Sequence, residues 1–396
     1  MKGVEKMENH KKSILFVCYG LGIGGIEKCL VNLVNVLPRD RYDVDVLLMN
    51  AEYAMKPQVR EDVHFLDEFA YMVLDLRTLV RTARTRGGLA AHIGKFLRYG
   101  VYRVADQLGV SAWRIHGSLP RHYDIAVAYS QNGEAPYYVM DKVTAKRKIL
   151  WYHNGAYERT GKAYQLDRKY YPRFDYVVAV SNDCARMLKG KFPELDEKLV
   201  VLRNVCDADD IRSSAAALVP ESFGEGCRHI VTVGRLAPEK GVDLAISACE
   251  QLIRKGIRLV WHWVGDGVVR DEAVKSIQEN GLEDCFLLEG NQGNPYPYIL
   301  NADVYVQPSY YEAYSTTVTE AKILCRPMVV TDVGGMRDQL TDGETGLIVP
   351  ADADAIAEAV AKLLTEVELA ERFCRTLKQE AYGTDPLKDY EKTVFA

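Results

Sequence analysis

The sequence predicts an α/β protein made of two Rossmann-like, doubly wound domains. Three observations support this fold class. The chain has 396 residues, and a single domain holds roughly 100–200 residues. Short apolar runs alternate with amphipathic helical stretches in both halves, which is typical of parallel sheets covered by helices. Between the halves, residues 213–226 are small and acidic and contain glycine and proline, as expected of an inter-domain linker.

The first half begins with an apolar run at residues 14–19 that ends in glycines, the pattern of a buried parallel strand. Residues 26–37 then place apolar side chains at the i, i+3, i+4, i+7 spacing of an amphipathic helix. Similar runs predict the other strands of this half at residues 44–49, 125–129, 148–152, 176–180 and 199–207. Ser181 is the predicted N-cap of the helix that follows the fourth of them. We assign residues 1–206 to the first domain.

The same alternation starts again in the second half. Strands are predicted at residues 230–233, 259–264, 286–288, 304–307, 328–331 and 347–349. Helices are predicted near residues 242–255, 270–280, 316–325, 353–364 and 366–381. We assign residues 207–381 to the second domain. The last segment, about 382–396, is a candidate to pack back on the first domain.

Composition narrows the function classes. The net charge of −5 and the pI near 6.0 argue against bulk nucleic-acid binding, so no nucleic-acid partner is expected. The nine cysteines form no CxxC pair, which is typical of reduced, buried thiols. The charged N-terminus lacks the apolar region of a signal peptide, and no apolar stretch approaches the roughly 20 residues of a membrane span. We therefore expect a cytoplasmic protein.

The first candidate site is the glycine-rich loop at residues 20–25, which links the first strand to the first helix. Glycines such as Gly24 and Gly25 let the backbone approach an anion, and the helix N-terminus offers unpaired N–H groups. The loop also fits GxGxxG, but a dinucleotide site needs an acid at the end of the second strand, and only Glu52 is near. A diphosphate-facing loop is favoured, and a plain tight turn remains the alternative.

The second candidate site is the loop at residues 234–241, after the first strand of the second half. Arg235 and Lys240 are five residues apart on this strand-to-helix loop, so the two cations can converge on one diphosphate. Arginine binds such a group through bidentate hydrogen bonds, and lysine acts as a point charge. The alternative interpretation is a pair of solvated loop cations.

The third candidate site surrounds two carboxylates eight residues apart, Glu312 and Glu320. Glu312 is expected on a loop, where it can accept hydrogen bonds from sugar hydroxyls. Glu320 is expected about one turn into a helix, within reach of a ribose. Ser315, Thr316 and Thr317 lie at the N-terminus of that helix, where backbone N–H groups can receive phosphate. On spacing alone, a loop acid and a solvated helical acid remain an equal alternative.

These motifs occur together in one order. They are GGIE at residues 24–27, GRLAPEKG at 234–241, VGDG at 264–267, NPYPYI at 294–299 and the two glutamates. Together they resemble the retaining glycosyltransferases of family 4, which have the GT-B fold of two Rossmann-like domains facing a central cleft. The resemblance covers residues 13–385, and its second-half motifs are the more specific.

The resemblance implies a role for each matching residue. Arg235 and Lys240 would bind the donor diphosphate, Glu312 the donor sugar and Glu320 the ribose. His153, in the WYHNG segment after a first-domain strand, matches a family histidine that lies near the donor sugar. Loops at residues 265–267 and 290–291, with Gly265 and Asn291, would flank the base. Many members have EGFG where this chain has EAYS at residues 312–315, so the sugar preference cannot be carried over.

The expected reaction is transfer of a sugar, with retention, from a nucleoside diphosphate sugar, with a UDP-sugar favoured. The catalytic residues would be His153, Glu312, Arg235 and Lys240. The main demand is to stabilise charge on the departing diphosphate, which is the expected role of Arg235, Lys240 and helix N-termini. No acidic pair stands at a strand end to hold a metal, so metal independence and no further cofactor are expected. The alternatives are a GT-B-fold UDP-sugar epimerase and a non-catalytic membrane-associated scaffold.

One segment points to the acceptor. Residues 77–121 contain nine Arg or Lys residues and a single acid, Asp106, interleaved with apolar side chains. A basic amphipathic stretch favours docking on an anionic membrane surface, hence a peripheral position on the inner membrane face and a lipid-linked glycan acceptor. The alternative is a solvated basic helical face.

Overall fold

The computed structural model confirms an α/β fold with one parallel sheet in each half of the chain. It describes residues 11–22, 24–50, 53–66, 100–101, 104, 111–131, 133–217, 219–380 and 387–396. Most of the basic stretch at residues 77–121 lies outside the described residues.

The first sheet runs in the order β3-β2-β1-β4-β5-β6-β7. Its strands are β1 (Lys12–Cys18), β2 (Tyr42–Leu48), β3 (His64–Leu66), β4 (His122–Ala128), β5 (Thr144–Tyr152), β6 (Tyr176–Ala179) and β7 (Leu199–Val201). The described helices of this half are α1 (Gly25–Val36), α2 (Ala112–Ile115), α3 (Ala135–Lys142), α4 (Gly161–Tyr170) and α5 (Asn182–Lys191). The strand predicted at residues 199–207 is shorter, because the chain leaves the sheet after Val201.

The second sheet runs in the order β10-β9-β8-β11-β12-β13. Its strands are β8 (Arg228–Val233), β9 (Leu259–Val264), β10 (Phe286–Gly290), β11 (Val304–Gln307), β12 (Met328–Thr331) and β13 (Leu347–Val349). Its helices are α6 (Ala208–Ala215), α7 (Val242–Arg254), α8 (Arg270–Glu279), α9 (Tyr296–Asn301), α10 (Thr316–Ile323), α11 (Ala353–Thr365) and α12 (Val367–Gln379). A last helix, α13 (Lys388–Lys392), follows them.

Local capping explains two helix starts around the domain boundary. Ser181 Oγ accepts a hydrogen bond from Cys184 N at 3.1 Å, which confirms the predicted N-cap of α5. Asp207 caps α6 by accepting from the N–H groups of Asp209 and Asp210. The linker predicted at residues 213–226 therefore begins inside the last turn of α6, which packs in the core of the second domain.

Each sheet has an apolar core on both faces. Alternate residues of β1 point to opposite sides, so Phe16 lies in one core of the first domain and Val17 in the other. The end of the chain belongs to the first of these cores, where Tyr390 and Phe395 are buried. Arg147 Nη1 donates to the carbonyl oxygen of Val394 at 3.1 Å and fixes the segment there.

The strand order places a crevice in each domain. β1 pairs with both β2 and β4, and β8 pairs with both β9 and β11. Successive strands are therefore added on one side of β1 or β8 first and on the other side afterwards. Ligands of open parallel sheets bind outside the carboxyl ends of the strands at such a switch point. The loops after β1 and β4 in one domain, and after β8 and β11 in the other, are therefore the expected binding loops.

Candidate active site

The binding loops of the two domains touch one another. A Cβ atom placed on Gly155, in the loop after β5, would lie 2.9 Å from Tyr311 Oη and 3.3 Å from the Cα atom of Ala313. Tyr311 and Ala313 follow β11 in the second domain and flank Glu312. The loop that carries His153 therefore borders the loop that carries Glu312.

At the start of α1, Gly24 occupies the N-cap position. A Cβ atom there would collide with the carboxylate of Glu27, which folds back against the helix N-terminus. Nothing lies within 4 Å of a Cβ atom placed on Gly25. The loop is thus compact and open on the Gly25 side, as a backbone that approaches a ligand requires.

The two predicted diphosphate cations both face a carboxylate. Arg235 Nη2 lies 3.0 Å from Glu239 Oε1, and this pair is largely exposed. Lys240 Nζ lies 2.6 Å from Glu312 Oε1, and this pair is largely buried. Gly241 has a left-handed φ of 68°, and a Cβ atom there would collide with the carbonyl oxygen of Pro308. The glycine therefore lets the Lys240 loop close onto the Glu312 loop.

Glu312 is held by one of its two oxygens. Oε1 accepts from Lys240 Nζ, from Ser309 Oγ at 3.0 Å and from Gln307 Nε2 at 3.3 Å. Its backbone is covered by Gly334, whose φ is 45° and whose added Cβ atom would collide with the Glu312 carbonyl oxygen. The carboxylate is therefore fixed in place with Oε2 outside this set of hydrogen bonds.

Glu320 lies in the interior rather than on a solvated helix face. Tyr296 Oη is 3.3 Å from Glu320 Oε1. Burial raises the pKa of Glu320 to about 7, and the positive charge of Lys28 and the Tyr296 hydrogen bond partly offset this rise. Lys28 Nζ lies 5.9 Å from the centroid of the Tyr296 ring, so a first-domain cation reaches the second-domain carboxylate.

The polar residues at the start of α10 are partly engaged already. Ser315 caps the helix, since its Oγ accepts from Val318 N at 3.4 Å. Its own N–H donates to Gln339 Oε1 at 2.9 Å, so a phosphate would have to replace this hydrogen bond to bind there. Thr317 Oγ1 donates to Gln307 Oε1 at 3.0 Å. The backbone N–H groups of Thr316 and Thr317 remain the candidates for a phosphate.

His153 is buried, and its backbone and ring are both held by the loop after β4. The His153 N–H donates to Gln131 Oε1 at 3.1 Å, and ring Nε2 lies 2.9 Å from Tyr129 O. Burial lowers the pKa of His153 to about 3, so the ring is neutral near neutral pH. A protonated His153 is therefore not available as an acid.

The loops expected to flank the base meet at a short bridge. Gly265 N donates to Gly290 O at 2.8 Å. A Cβ atom on Gly265, whose φ is 139°, would collide with the carbonyl oxygen of Gly234. The loops after β8, β9 and β10 are therefore stacked against one another, and exposed Asn291 follows at the rim.

Sequence reasoning missed several residues that complete the site. Lys28, Gln131, Gln307, Ser309 and Gly334 all contact or cover a predicted residue. Only Gly334 could have been suspected from the sequence, because it forms a pair of glycines with Gly335 shortly after a predicted strand. Within the described ranges, no group of three or more His, Cys, Asp or Glu residues is arranged to hold a metal ion, and no helix is long and apolar enough to cross a membrane.

Solved structures share this architecture over nearly the whole chain. The structure of Anabaena HepE in complex with UDP matches with a TM-score of 0.70 and 17% identity, covering 97% of this chain and 99% of that one. A glycosyltransferase from Rickettsia africae matches with a TM-score of 0.70 and 16% identity, covering 97% and 98%. These matches show that the chain has the GT-B fold.

Family models identify the type. The Glycosyltransferase Family 4 model matches residues 23–210, and the Glycosyl transferases group 1 model matches residues 220–380. The chain belongs to the GT-B glycosyltransferases of the family 4 type. It is 24% identical, over 93% of its length and 95% of the relative's, to the N-acetylgalactosamine-N,N'-diacetylbacillosaminyl-diphospho-undecaprenol 4-alpha-N-acetylgalactosaminyltransferase of Campylobacter jejuni.

Proposed function

We propose that this enzyme transfers a sugar from a nucleoside diphosphate sugar, with a UDP-sugar favoured, to a lipid-linked glycan in polysaccharide or glycolipid synthesis. The observation that carries the proposal is the buried pair of Lys240 and Glu312 where the two domains meet. A cation for the diphosphate and a carboxylate for the sugar then stand side by side, as a sugar diphosphate requires. The UDP bound by Anabaena HepE supports the choice of nucleotide.

The proposed chemistry needs no side chain that donates a proton to the leaving group. As the sugar–phosphate bond breaks, negative charge grows on the diphosphate, and Arg235 and Lys240 stabilise that charge. A departing phosphate oxygen then accepts the proton of the acceptor hydroxyl, which attacks from the same face and retains the configuration. Neutral His153 fits a role beside the sugar rather than as an acid. Because the two cations already serve the diphosphate, we propose that no metal ion takes part.

The acceptor and the location are proposed on two grounds. The name of the Campylobacter jejuni relative includes diphospho-undecaprenol, an isoprenoid lipid carrier, and the match spans 93% of this chain. The nine basic residues between positions 77 and 121 would bring a cytoplasmic enzyme to an anionic membrane face where such a lipid lies.

A donor panel tests the proposal directly. The purified chain is incubated with UDP- and GDP-sugars in EDTA, first without acceptor and then with lipid-linked glycans. We expect slow release of UDP from one donor, faster release with a lipid-linked acceptor, and a product with the donor's anomeric configuration by NMR.

Three outcomes would contradict parts of this proposal. A requirement for added Mg²⁺ or Mn²⁺ would reject the metal-free chemistry. Conversion of the donor to an isomeric nucleotide sugar, without UDP release, would instead identify an epimerase. An inverted product would reject retention.

A further inference from the structure

Gln131 is a buried amide with one satisfied end and one unsatisfied end. Its side chain follows β4 and is 3% exposed. Oε1 accepts the His153 N–H at 3.1 Å, whereas Nε2 is buried and has no hydrogen-bond partner in the described part of the chain. Unpaired buried donors are rare in folded proteins, so this one calls for a specific cause.

The orientation of the amide follows from its partner. A backbone N–H can only donate, so the oxygen of Gln131 must face His153 and the nitrogen must face away. Exchanging the two atoms would set two donors against each other. The unpaired group is therefore an N–H donor.

His153 offers the complementary group. Its Nε2 lies 2.9 Å from Tyr129 O, and a carbonyl oxygen only accepts, so Nε2 carries the ring proton. Because burial keeps the ring neutral, Nδ1 retains a lone pair. Within the described residues, Nδ1 makes no hydrogen bond. A free acceptor on His153 thus accompanies a free donor on its hydrogen-bonded neighbour.

The positions of Gln131 and His153 in the fold indicate which ligand group they could bind. Gln131 follows β4, beside the switch point between β1 and β4 where ligands of such sheets bind. His153 follows the next strand, and Gly155 beyond it packs on Tyr311 and Ala313, the two neighbours of Glu312. The amide, the imidazole and the proposed sugar carboxylate therefore border one part of the cleft.

We propose that Gln131 and His153 together bind one hydroxyl group of the transferred sugar. Gln131 Nε2 donates to the hydroxyl oxygen, and the hydroxyl proton is donated to His153 Nδ1. The inference rests on the proposed function and adds a specificity residue to it. A donor without that hydroxyl is rejected, because the buried Gln131 Nε2 then stays unpaired.

Two variants separate binding from positioning. Gln131→Met keeps the volume and removes both polar atoms. Gln131→Glu, assayed at alkaline pH where the new carboxyl is ionised, keeps the acceptor for the His153 N–H and loses only the donor. We expect both to lower kcat/KM by about ten- to hundredfold, the usual range for an unpaired buried polar group. Gln278→Met, the same change on the exposed face of α8, controls for the substitution itself.

Donor analogues complete the test. The donor identified by the panel is compared with analogues that each lack one sugar hydroxyl. One analogue should cost the native enzyme at least as much as Gln131→Met does. It should cost that variant clearly less than it costs the native enzyme, because only the His153 contact remains to be lost. Unfolding temperatures of the variants establish that they are folded.

Each contrary outcome is distinct. Full activity of Gln131→Glu, or equal losses for every analogue in native enzyme and variant, would overturn the inference while leaving the proposed function intact. If the variant instead lessens the loss of kcat/KM caused by a missing hydroxyl on the acceptor, and not on the donor, Gln131 does not bind the transferred sugar. No turnover of any nucleotide sugar by the native chain would reject the proposed function, and this inference with it.

Discussion

Lys240 forms an ion pair with the carboxylate of Glu312 in this structure. Its partner Glu312 is held by Ser309 and Gln307 as well, so the carboxylate can keep its place when Lys240 turns to a diphosphate. Glu239 stands in the same relation to Arg235. We therefore expect donor binding to exchange these carboxylates for the diphosphate at both cations. Variants of the cations and of the carboxylates should change different sides of that exchange.

Calorimetry with UDP and with the intact donor should separate the two sides. Lys240→Met or Arg235→Ala should weaken the binding of both ligands by about 1.5–3 kcal/mol, the range for a charge-assisted hydrogen bond. Glu312→Gln should leave UDP affinity equal or higher, because it releases Lys240, and should reduce sugar transfer. If Glu312→Gln weakens UDP binding as strongly as Lys240→Met does, these roles are wrong.

Glu320 should make nucleotide binding depend on pH. Burial raises its pKa from 4.5 to about 7, so the group is protonated below that pH in this structure, and the fold loses stability as pH rises from about 4.5 to about 7. A ribose hydroxyl donates a stronger hydrogen bond to the ionised carboxylate than to the protonated carboxyl group. The affinity of the enzyme for UDP should therefore fall as pH drops below about 7, by at most about tenfold per unit.

Two variants check this assignment. Glu320→Gln should abolish that part of the pH dependence, and its remaining slope reports the phosphates of UDP itself. Lys28→Met removes the charge that lowers the pKa of Glu320, so the midpoint should move to higher pH. Other titratable groups that interact with Glu320 include Tyr296, Tyr305, Cys29 and Cys206. An unchanged midpoint in Lys28→Met would contradict the cross-domain influence of that cation.

At the scale of elements, the sequence predicted those helices and strands that have a regular local pattern of apolar residues. Apolar runs identified the central strands, and the loops after β8 and β11 were identified by residue types that suit phosphate and sugar. β3 was missed because only two of its three residues are apolar, whereas the equally short β7 and β13 consist of apolar residues alone. Lys28 with Tyr296, and Gln131 with His153, were missed because each pair joins distant parts of the chain, and only the folded sheets bring them together.

The segment after β12 acts as a support for the Glu312 loop. Gly334→Ala should displace Glu312, because its φ is positive and its new Cβ atom meets the Glu312 carbonyl oxygen. We expect a strong loss of donor turnover and a lower unfolding temperature. Gly343→Ala is the matched control, since its φ is 74° but no atom lies within 4 Å of the new Cβ.

Gly343→Ala should show only the modest cost of a left-handed alanine, about 1–2 kcal/mol. Its donor turnover should be nearly native. Equal turnover in the two variants would mean that Gly334 does not position Glu312.

At the scale of the whole molecule, the domains are joined by a specific polar contact. Asp338 accepts from Asn182 N at 2.7 Å and from Asn182 Nδ2 at 2.9 Å, at the N-terminus of α5. A carboxylate there is favoured by the helix dipole. The contact forms only when the second domain approaches the first, so it should favour the closed form.

Asp338→Asn should therefore shift the protein towards an open form. The loss of roughly 1 kcal/mol at a helix terminus changes such an equilibrium about fivefold. Small-angle X-ray scattering with saturating UDP should show a larger radius of gyration, with a lower kcat/KM. Asp332→Asn, which breaks a pair with Arg337 inside the second domain, should leave both unchanged. Identical scattering of the two variants would contradict a role of the Asp338–Asn182 contact in holding the domains together.

The return of the chain end to the first domain limits how the cleft can open. The backbone leaves that domain after β7 and comes back between Glu380, paired with Lys322, and Leu387 in the first core. Tyr390 Oη donates a hydrogen bond to Arg203 O at 2.5 Å. The segment that leaves the first domain and the segment that returns to it therefore lie side by side. Two domains joined by adjacent chain segments are expected to rotate about the line through those segments rather than to slide past one another. We therefore expect the cleft to open by a single hinge rotation, which would separate Glu312 from His153 and bring them together again along one path.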